Sequence, residues 1–323
     1  MKTHLINKEL IKQTFDVFDY VRAVKESFRI YGNEPVQMPP KVYLSFPEGD
    51  MRCMPIYLPT ENIAGVKNVN VHPKNKDHPT VMGTITLFDP ETGFPLVMMD
   101  GTHITNMRTG ASGAVAAKYL SNKSAGIVAF IGAGTQSLTQ LESLLTVRDI
   151  ELVKVYDVDD ARSEHFMDVA SKYDLQIIKS DSINAALYGA DIVTIVTPSR
   201  EPLVMYDQLS KGVHINAIGA DAKGKQELDP EILKHSRVVI DNWEQASHSG
   251  EINVALSQGY ITRDDIYADI GEIVTRRKLG RESLNDTTVF DSTGLAIQDI
   301  YTANEIYKRI KEEHIDLPGF EFF

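Results

Sequence analysis

Residues 124–157 read SAGIVAFIGAGTQSLTQLESLLTVRDIELVKVYD, and the reading of this stretch decides the fold. An apolar run over 127–131, bounded by Gly126 and Gly132, is short enough for a buried parallel strand. A glycine-rich turn follows it, Gly132-Ala133-Gly134-Thr135-Gln136-Ser137. Apolar residues then recur at Leu138, Leu141, Leu144, Leu145 and Val147, the spacing of a helix that lays one face on a sheet. A second strand over 152–156 ends on Asp157. Strand, glycine turn, helix, strand and acid stand in the order that a dinucleotide site requires.

Each part has a physical task. Gly132 permits the tight turn, and Gly134 lets backbone N–H groups approach a pyrophosphate. The helix opening near Thr135 and Gln136 points its positive end at that phosphate. Asp157 would accept hydrogen bonds from both ribose hydroxyls and repel a 2′-phosphate, which favours NAD over NADP. Ser137 replaces the usual third glycine, so the motif is G-x-G-x-x-S and the helix must tolerate a larger residue at close contact. The plainer alternative is an ordinary strand–turn–helix of an α/β protein.

The 323 residues are enough for two domains. Hydrophobic and charged contents of 42% and 24% are those of a soluble globular protein. A formal net charge of −12 argues against nucleic acid and anionic membranes as partners. No apolar run approaches the ~20 residues of a membrane span. The amino terminus, MKTHLINKELIKQ, is too polar for a secretory signal, so a cytoplasmic location is expected. One cysteine, Cys53, allows neither an internal disulfide nor a cysteine-rich zinc cage.

Before the dinucleotide motif, residues 1–35 suggest a short apolar entry and a helix bearing Phe18, Val21, Val24, Phe28 and Tyr31, stopped by Met38-Pro39-Pro40. Extended runs follow: VYLSF, MRCMPIYL, IAGVKNVNVH, TVMGTITLFD and FPLVMMDGTHI, a mostly antiparallel sheet. A helix with one small-residue face is expected over 109–120. After Asp157, helices near 160–172 and 182–187 alternate with strands near 175–178, 192–196, 213–218, 237–240 and 288–290. That alternation implies a parallel, doubly wound sheet. A final helix over 295–313 is expected to return to the first domain. The expected fold is therefore α/β: a Rossmann doubly wound parallel sheet plus a discontinuous α+β domain.

Ligands of such sheets sit at the carboxyl ends of the strands. Those ends offer Thr197, Pro198, Ser199, Asp241, and Asp221 after Gly219 and Ala220, together with the Ser292-Thr293-Gly294 turn. Asp221 reads as a general acid or base, or a partner for a substrate ammonium; a helix cap or turn carboxylate is the competing reading. Arg52, Lys67 and Arg108 stand in otherwise apolar segments, as a clamp for a substrate carboxylate or as three solvated surface charges. His72, His78 and His103 form no metal-binding pattern, and no G-x-S-x-G elbow occurs, so neither metal nor serine-hydrolase chemistry is expected.

Several stretches together resemble the ornithine cyclodeaminase and mu-crystallin family, and within it the archaeal-type alanine dehydrogenase branch. They are MPPKVYL (38–44), DMRCMP (50–55), GVKNVNVHP (65–73), PTVMG (79–83), ETGFPL (91–96) and RTGASGAVAAKYL (108–120). They continue with FIGAGTQ (130–136), VTPSR (196–200), HINAIGADAKGKQELD (214–229), GEINVA (250–255) and FDSTGLAIQD (290–299). The resemblance implies a substrate and dimerisation domain of residues 1–119 and 296–323 around an NAD-binding Rossmann domain of 120–295. It implies carboxylate contacts from Arg52, Lys67 and Arg108, and an active-site acid at Asp221, with Lys67 and Asp221 as the catalytic pair. Thr109, the Gly132–Gln136 loop, Asp157, Thr197 and Ser292 fall where that family binds its cofactor. Ser137 leaves this undisturbed, since the family's loop reads GxGTQ with a variable next position.

The implied activity is reversible, NAD-dependent deamination of L-alanine to pyruvate and ammonium by a homodimer with a small amino- or keto-acid substrate. Cyclodeamination of ornithine, with Glu61 as a possible contact for the far ammonium, and reduction of a cyclic imino acid are the rivals. A non-catalytic binder of nucleotide and a small ligand is a third reading, disfavoured by the retention of Arg52, Lys67, Arg108 and Asp221 together.

Overall fold

The computed structural model describes residues 2–322, and the chain divides into two compact units. One takes the residues up to Arg108 and those from Leu295 onward; the other is Thr109–Gly294. In chain order the first unit opens with β1 (Thr3–Ile6), α1 (Lys8–Thr14) and α2 (Val17–Asn33). Five strands follow: β2 (Val42–Phe46), β3 (Gly49–Leu58), β4 (Ile63–Val71), β5 (Val81–Phe88) and β6 (Pro95–Asp100). α3 (Gly101–Leu120) then carries the chain across the boundary. The second unit contains β7 (Ile127–Ile131), α4 (Thr135–Leu144), β8 (Leu152–Tyr156), α5 (Asp160–Ala170), β9 (Gln176–Lys179) and α6 (Ile183–Leu187). It continues with β10 (Ile192–Ile195), β11 (His214–Ala217), α7 (Pro230–His235), β12 (Arg237–Ile240), α8 (Trp243–Ser249) and α9 (Ile252–Ser257). β13 (Ile266–Asp269), α10 (Ile270–Val274) and β14 (Thr288–Asp291) complete it. The last helix, α11 (Ala296–Glu312), and β15 (Gly319–Phe320) belong to the first unit, as the sequence led us to expect for the helix.

In the first unit a seven-stranded sheet runs β15-β1-β6-β5-β4-β3-β2, antiparallel except for the β1–β6 pair. Side chains alternate across a strand, so one face carries Met54, Ile56 and Leu58 of β3, Ile63, Gly65 and Lys67 of β4, and Ile85 and Leu87 of β5. That face is buried. The opposite face is left open, with Leu5, Val42, Leu44, Phe46 and Met98 exposed. α11 packs on the buried face so closely that a Cβ at Gly65 would lie 2.8 Å from Ile300 Cδ1. α2 starts from a capping box in which Asp16 and Asp19 cap each other's backbone. It buries Tyr20, Val24 and Phe28, but Phe18, expected in the apolar row, faces outward.

The structure lengthens one helix relative to the sequence reading. GTHI was read as the end of a strand, yet α3 begins at Gly101. Asp100 accepts a hydrogen bond from His103 N at 2.7 Å, which caps the first turn. A Cβ at Gly101 would sit 2.9 Å from the Gly83 backbone and 3.0 Å from that of Thr84, so the helix can start against β5 only on glycine.

In the second unit all eight strands are parallel, in the order β13-β12-β14-β11-β10-β7-β8-β9. From β7 the chain winds outward through β8 and β9, then returns to β10 on the other side of β7, which makes the β7–β10 boundary the switch point of the sheet. β7 feeds both cores: Val128 and Phe130 join a cluster with Leu141, Val155 and Phe166, while Ala129 and Ile131 join one with Val193, Ile215 and Ile240. The elements α7, α8, α9, β13 and α10, of four to seven residues each, are not among those read from the sequence.

The small face of α3 has a direct cause. A Cβ at Gly110 would meet the Thr139 carbonyl oxygen at 2.2 Å, and one at Gly113 would meet Gln140 Oε1 at 2.1 Å. Backbone cannot yield as a side-chain tip can, so we predict that Gly110→Ala destabilises the protein by ~1–3 kcal/mol through overpacking. A fall in urea midpoint at unchanged slope is the expected result, and a variant as stable as the wild type would show that α3 and α4 separate freely.

Candidate functional site

Register on the first sheet brings the nominated cations to one face. Met54 of β3 pairs with Lys67 of β4, and Ile85 of β5 pairs with Lys67 from the other side. Arg52 pairs with Val69, which puts it diagonal to Lys67 on the same face. α3 ends its first-unit portion on Arg108, and α11 brings Asp299. Lys67 Nζ donates to Asp299 Oδ2 at 2.5 Å, and Arg108 Nε donates to Oδ1 at 2.8 Å. Lys67, Asp299 and Arg108 are 1%, 0% and 6% exposed, so this is a buried ion triad. Arg52 is held differently: its Nε donates to Asp50 Oδ1 at 2.8 Å, and its guanidinium stands over the Tyr43 ring.

The electrostatics follow from that burial. Loss of water and, next, the positive charge of Arg108 lower the Lys67 ammonium from 10.5 to about 7, while Asp299 opposes the shift. For Asp299, burial alone would raise the carboxyl, but Arg108 and Lys67 outweigh it and the group ends below its ordinary range. The result is a fixed carboxylate beside an amine poised to gain or lose a proton near neutrality. The reading of these residues as solvated surface charges is thereby excluded for Lys67 and Arg108.

Asp299 was not singled out from the sequence, nor was Gln298. Gln298 Oε1 accepts from Leu295 N at 2.8 Å and from Arg108 Nη1 at 3.4 Å. The available signal was an acid in the first turn of a helix that is apolar around much of its circumference at its start; such a charge, once buried, must be paired. Glu61, by contrast, lies in the β3–β4 turn and is bound by the half-exposed Lys308 at 2.8 Å.

In the second unit the glycine turn behaves as its composition demands. Gly132 has φ 95°, a left-handed conformation, and its N–H donates to the Tyr156 carbonyl at 2.8 Å. Gly134 caps α4 without a side-chain hydrogen bond, and a Cβ there would meet nothing within 4 Å. The ground above the first turn, spanning Thr135 and Gln136, therefore suits an anion. Ser137, in place of the third glycine, is fully buried and donates its hydroxyl to the Gly132 carbonyl at 2.6 Å, which ties the helix back onto the turn. Asp157 accepts from Ala133 N at 2.8 Å and from Asp159 N at 3.0 Å. A cavity of about 330 Å³ opens here, lined by Gly132, Gly134, Asp157, Thr197, Pro198 and Ser199. Tyr156, Ile183 and Leu203 supply apolar walls, and Arg162, unnoticed in the sequence, stands at its edge. A wider depression of about 660 Å³ lies at the amino ends of β12 and β14, where Arg237 is already paired with Glu282 and Asp286.

The remaining strand ends are ordered by buried carboxylates. Asp241 accepts from Thr293 N at 2.6 Å and Gly294 N at 2.7 Å, so it holds the 292–294 turn and is a structural acid. Ser292 lies 3.4 Å from Ser112 through their hydroxyls, and the Thr109 carbonyl accepts from Gln140 Nε2 at 2.9 Å. Burial and the neighbouring Asp241 push Asp291 up to about 8. Asp221 follows the buried Ala220 and is held by Lys225 at 2.7 Å. Among the described residues no cluster suited to a metal ion occurs, and no helix is long and apolar enough to cross a membrane.

Comparison with known proteins agrees with this architecture. The sequence profile of the ornithine cyclodeaminase/mu-crystallin family matches residues 1–314. An alanine dehydrogenase of Archaeoglobus fulgidus is 45% identical over 317 residues, covering 98% of this chain and 97% of its own. The structure of an archaeal alanine dehydrogenase dimer with bound NAD superposes with a TM-score of 0.96 at 45% identity, over 100% of both chains. A Thermococcus litoralis Δ(1)-pyrroline-2-carboxylate reductase, solved with NADH and L-proline, gives 0.94 at 33% identity over 99% of this chain and 100% of its own.

The Lys67 environment predicts a pH dependence of folding. With a folded value near 7 against 10.5 in the unfolded chain, the unfolded state binds the extra proton between those limits. Stability contributed by this residue therefore rises from pH 7 toward 9.5 and is flat below 7. Lys67→Met should remove that rise, as measured by urea unfolding at pH 7 and 9.5; an equal rise in the variant would show that the amine keeps its ordinary affinity for protons.

Proposed function

As the chain belongs to the ornithine cyclodeaminase/mu-crystallin family, we propose that it is an NAD-dependent L-alanine dehydrogenase. The reaction converts L-alanine, NAD⁺ and water to pyruvate, ammonium, NADH and a proton. The observation that carries this reading is the buried Lys67–Asp299–Arg108 triad on a face that also bears Arg52. Support for the particular substrate comes from the similarity to alanine dehydrogenase along nearly the whole of both chains.

The fit to a dinucleotide rests on the left-handed Gly132, the open ground above Gly134 and the cavity reaching Asp157. The dinucleotide would supply the hydride acceptor. Gly132, Ala133, Gly134, Thr135 and Gln136 would hold its phosphates, Asp157 its ribose, and Thr197, Pro198, Ser199, Ala220 and the 292–294 turn the rest, with Thr109 beside them. Arg52 and Arg108 would orient the substrate carboxylate by charged, planar hydrogen bonds. Lys67, near its midpoint at neutral pH, would hold and return the proton exchanged as water adds at Cα. Asp221, held by Lys225, would receive the substrate nitrogen. A cyclodeaminase needs a further acid for a distant ammonium, and Glu61 is occupied by Lys308 instead.

The protein is also proposed to act as a homodimer in the cytoplasm. The open sheet face exposes Val42 by 54%, Leu44 by 52% and Phe46 by 42%, an apolar row of the kind monomers rarely leave in water. Sedimentation at micromolar concentration should give the mass of two chains; a monomer would leave that row unexplained.

The enzymatic test follows absorbance at 340 nm with pyruvate and ammonium. We expect oxidation of NADH that requires both substrates, and slower oxidation of NADPH because Asp157 repels its extra phosphate. Consumption of NADH with Δ(1)-pyrroline-2-carboxylate and none with pyruvate and ammonium would overturn the assignment in favour of an imine reductase.

A further inference from the structure

Glu227 is fully buried in the second unit, and its side chain accepts hydrogen bonds from three donors. Thr197 gives two of them to Oε1, its backbone N at 2.8 Å and its hydroxyl at 2.6 Å. Gly219 N gives the third to Oε2 at 3.0 Å. These donors sit on different loops, one leaving the carboxyl end of β10 and one leaving β11. Position 219 admits no side chain, because a Cβ would lie 2.3 Å from the Thr197 carbonyl oxygen and 2.5 Å from Glu227 Oε2. The acid itself is anchored through its backbone: Glu227 N and Leu228 N donate to Glu251 at 2.8 and 2.7 Å, and the Glu227 carbonyl accepts from Leu203 N at 2.8 Å.

Burial pushes the Glu227 carboxyl up to about 7, and the hydrogen bonds from Thr197 and Gly219 oppose that rise. Here one oxygen holds the loop of Thr197 and the other holds the loop that reaches Asp221 two residues later. We propose that Glu227 is a positioning residue for catalysis, latching the two loops together so that Asp221 stands at a fixed place relative to the dinucleotide. This rests on the reading above, in which Thr197 meets the cofactor and Asp221 meets the substrate. The isosteric amide cannot replace Glu227, because it turns a donor toward Thr197 or toward Gly219 and opens one side of the latch.

The experiment compares wild type with Glu227→Gln in the full chain. With pyruvate, ammonium and NADH we expect kcat to fall at least tenfold and the KM values for pyruvate and ammonium to stay within about threefold. The primary isotope effect with 4-deuterated NADH should rise, since misplacement slows hydride transfer rather than binding. A residue that merely supports the fold would lower melting temperature and active fraction without moving the isotope effect, and that result overturns the proposal. Hydrogen exchange supplies a second readout that does not depend on the substrate. In Glu227→Gln, segments 196–200 and 218–222 should exchange faster together, while 132–136 stays as in wild type. Unchanged exchange in both segments overturns the latch even if the protein turns over a different substrate. If wild type ignores pyruvate but the two segments loosen together, the dehydrogenase assignment fails and the latch stands. Should the amide variant not fold, Glu227→Asp is held to the same two readouts.

Discussion

An aspartate without access to water stays ionised only where cations are pressed against it, and Asp299 has two. Much of the first unit is arranged to make that possible. The β3–β4–β5 register sets Lys67 between Met54 and Ile85, and Gly65 leaves the gap through which α11 approaches. A glycine start at position 101 lets α3 leave β6 at the angle that delivers Arg108. Replacing such a triad by apolar side chains of equal volume would often cost nothing or even stabilise a protein. Its persistence in the core is therefore an argument for chemistry rather than for stability.

The second unit solves a different problem with different means. Its strand ends must present backbone N–H groups, which are fixed dipoles, at set positions around a cavity of about 330 Å³. Acidic side chains do much of the setting: the half-buried Asp157 on Ala133, and the buried Asp241 on Thr293 and Gly294, Glu227 on Thr197 and Gly219, and Glu251 on Glu227 and Leu228. Each accepts hydrogen bonds from main-chain N–H groups and so fixes the backbone it holds. Loops built this way keep their geometry without rigid secondary structure of their own.

Legibility in the sequence followed the length over which a pattern repeats. β7, β8 and β12 coincide with the runs read for them, because apolar segments bounded by glycine or acid leave little freedom. α7 and α8 lie in largely polar stretches, and the start of α3 hid behind residues that suit a strand equally well. For the site, Lys67 and Arg108 were conspicuous as cations in apolar strings, but a string does not say whether its charges face solvent or each other. Register and burial decide that, and both arise from partners far along the chain. Asp299, 232 residues from Lys67, is the clearest case. Its sequence neighbours announce a helix, and only the fold announces its partners.

The charge count of the triad connects binding to proton transfer. With Lys67 protonated, Lys67 and Arg108 outnumber Asp299 by one positive charge; with Lys67 neutral, the set is balanced. A substrate carboxylate placed against Arg108, as proposed, would add a negative charge near the amine and favour the ammonium. By reciprocity the protonated form binds that carboxylate more tightly, by the same factor. On the proposed function, substrate arrival and protonation of Lys67 would reinforce each other, and departure of the product acid would release the proton. The low dielectric that makes the triad expensive is what gives this coupling its strength, since the same charges in water would interact by only ~1 kcal/mol at 4 Å.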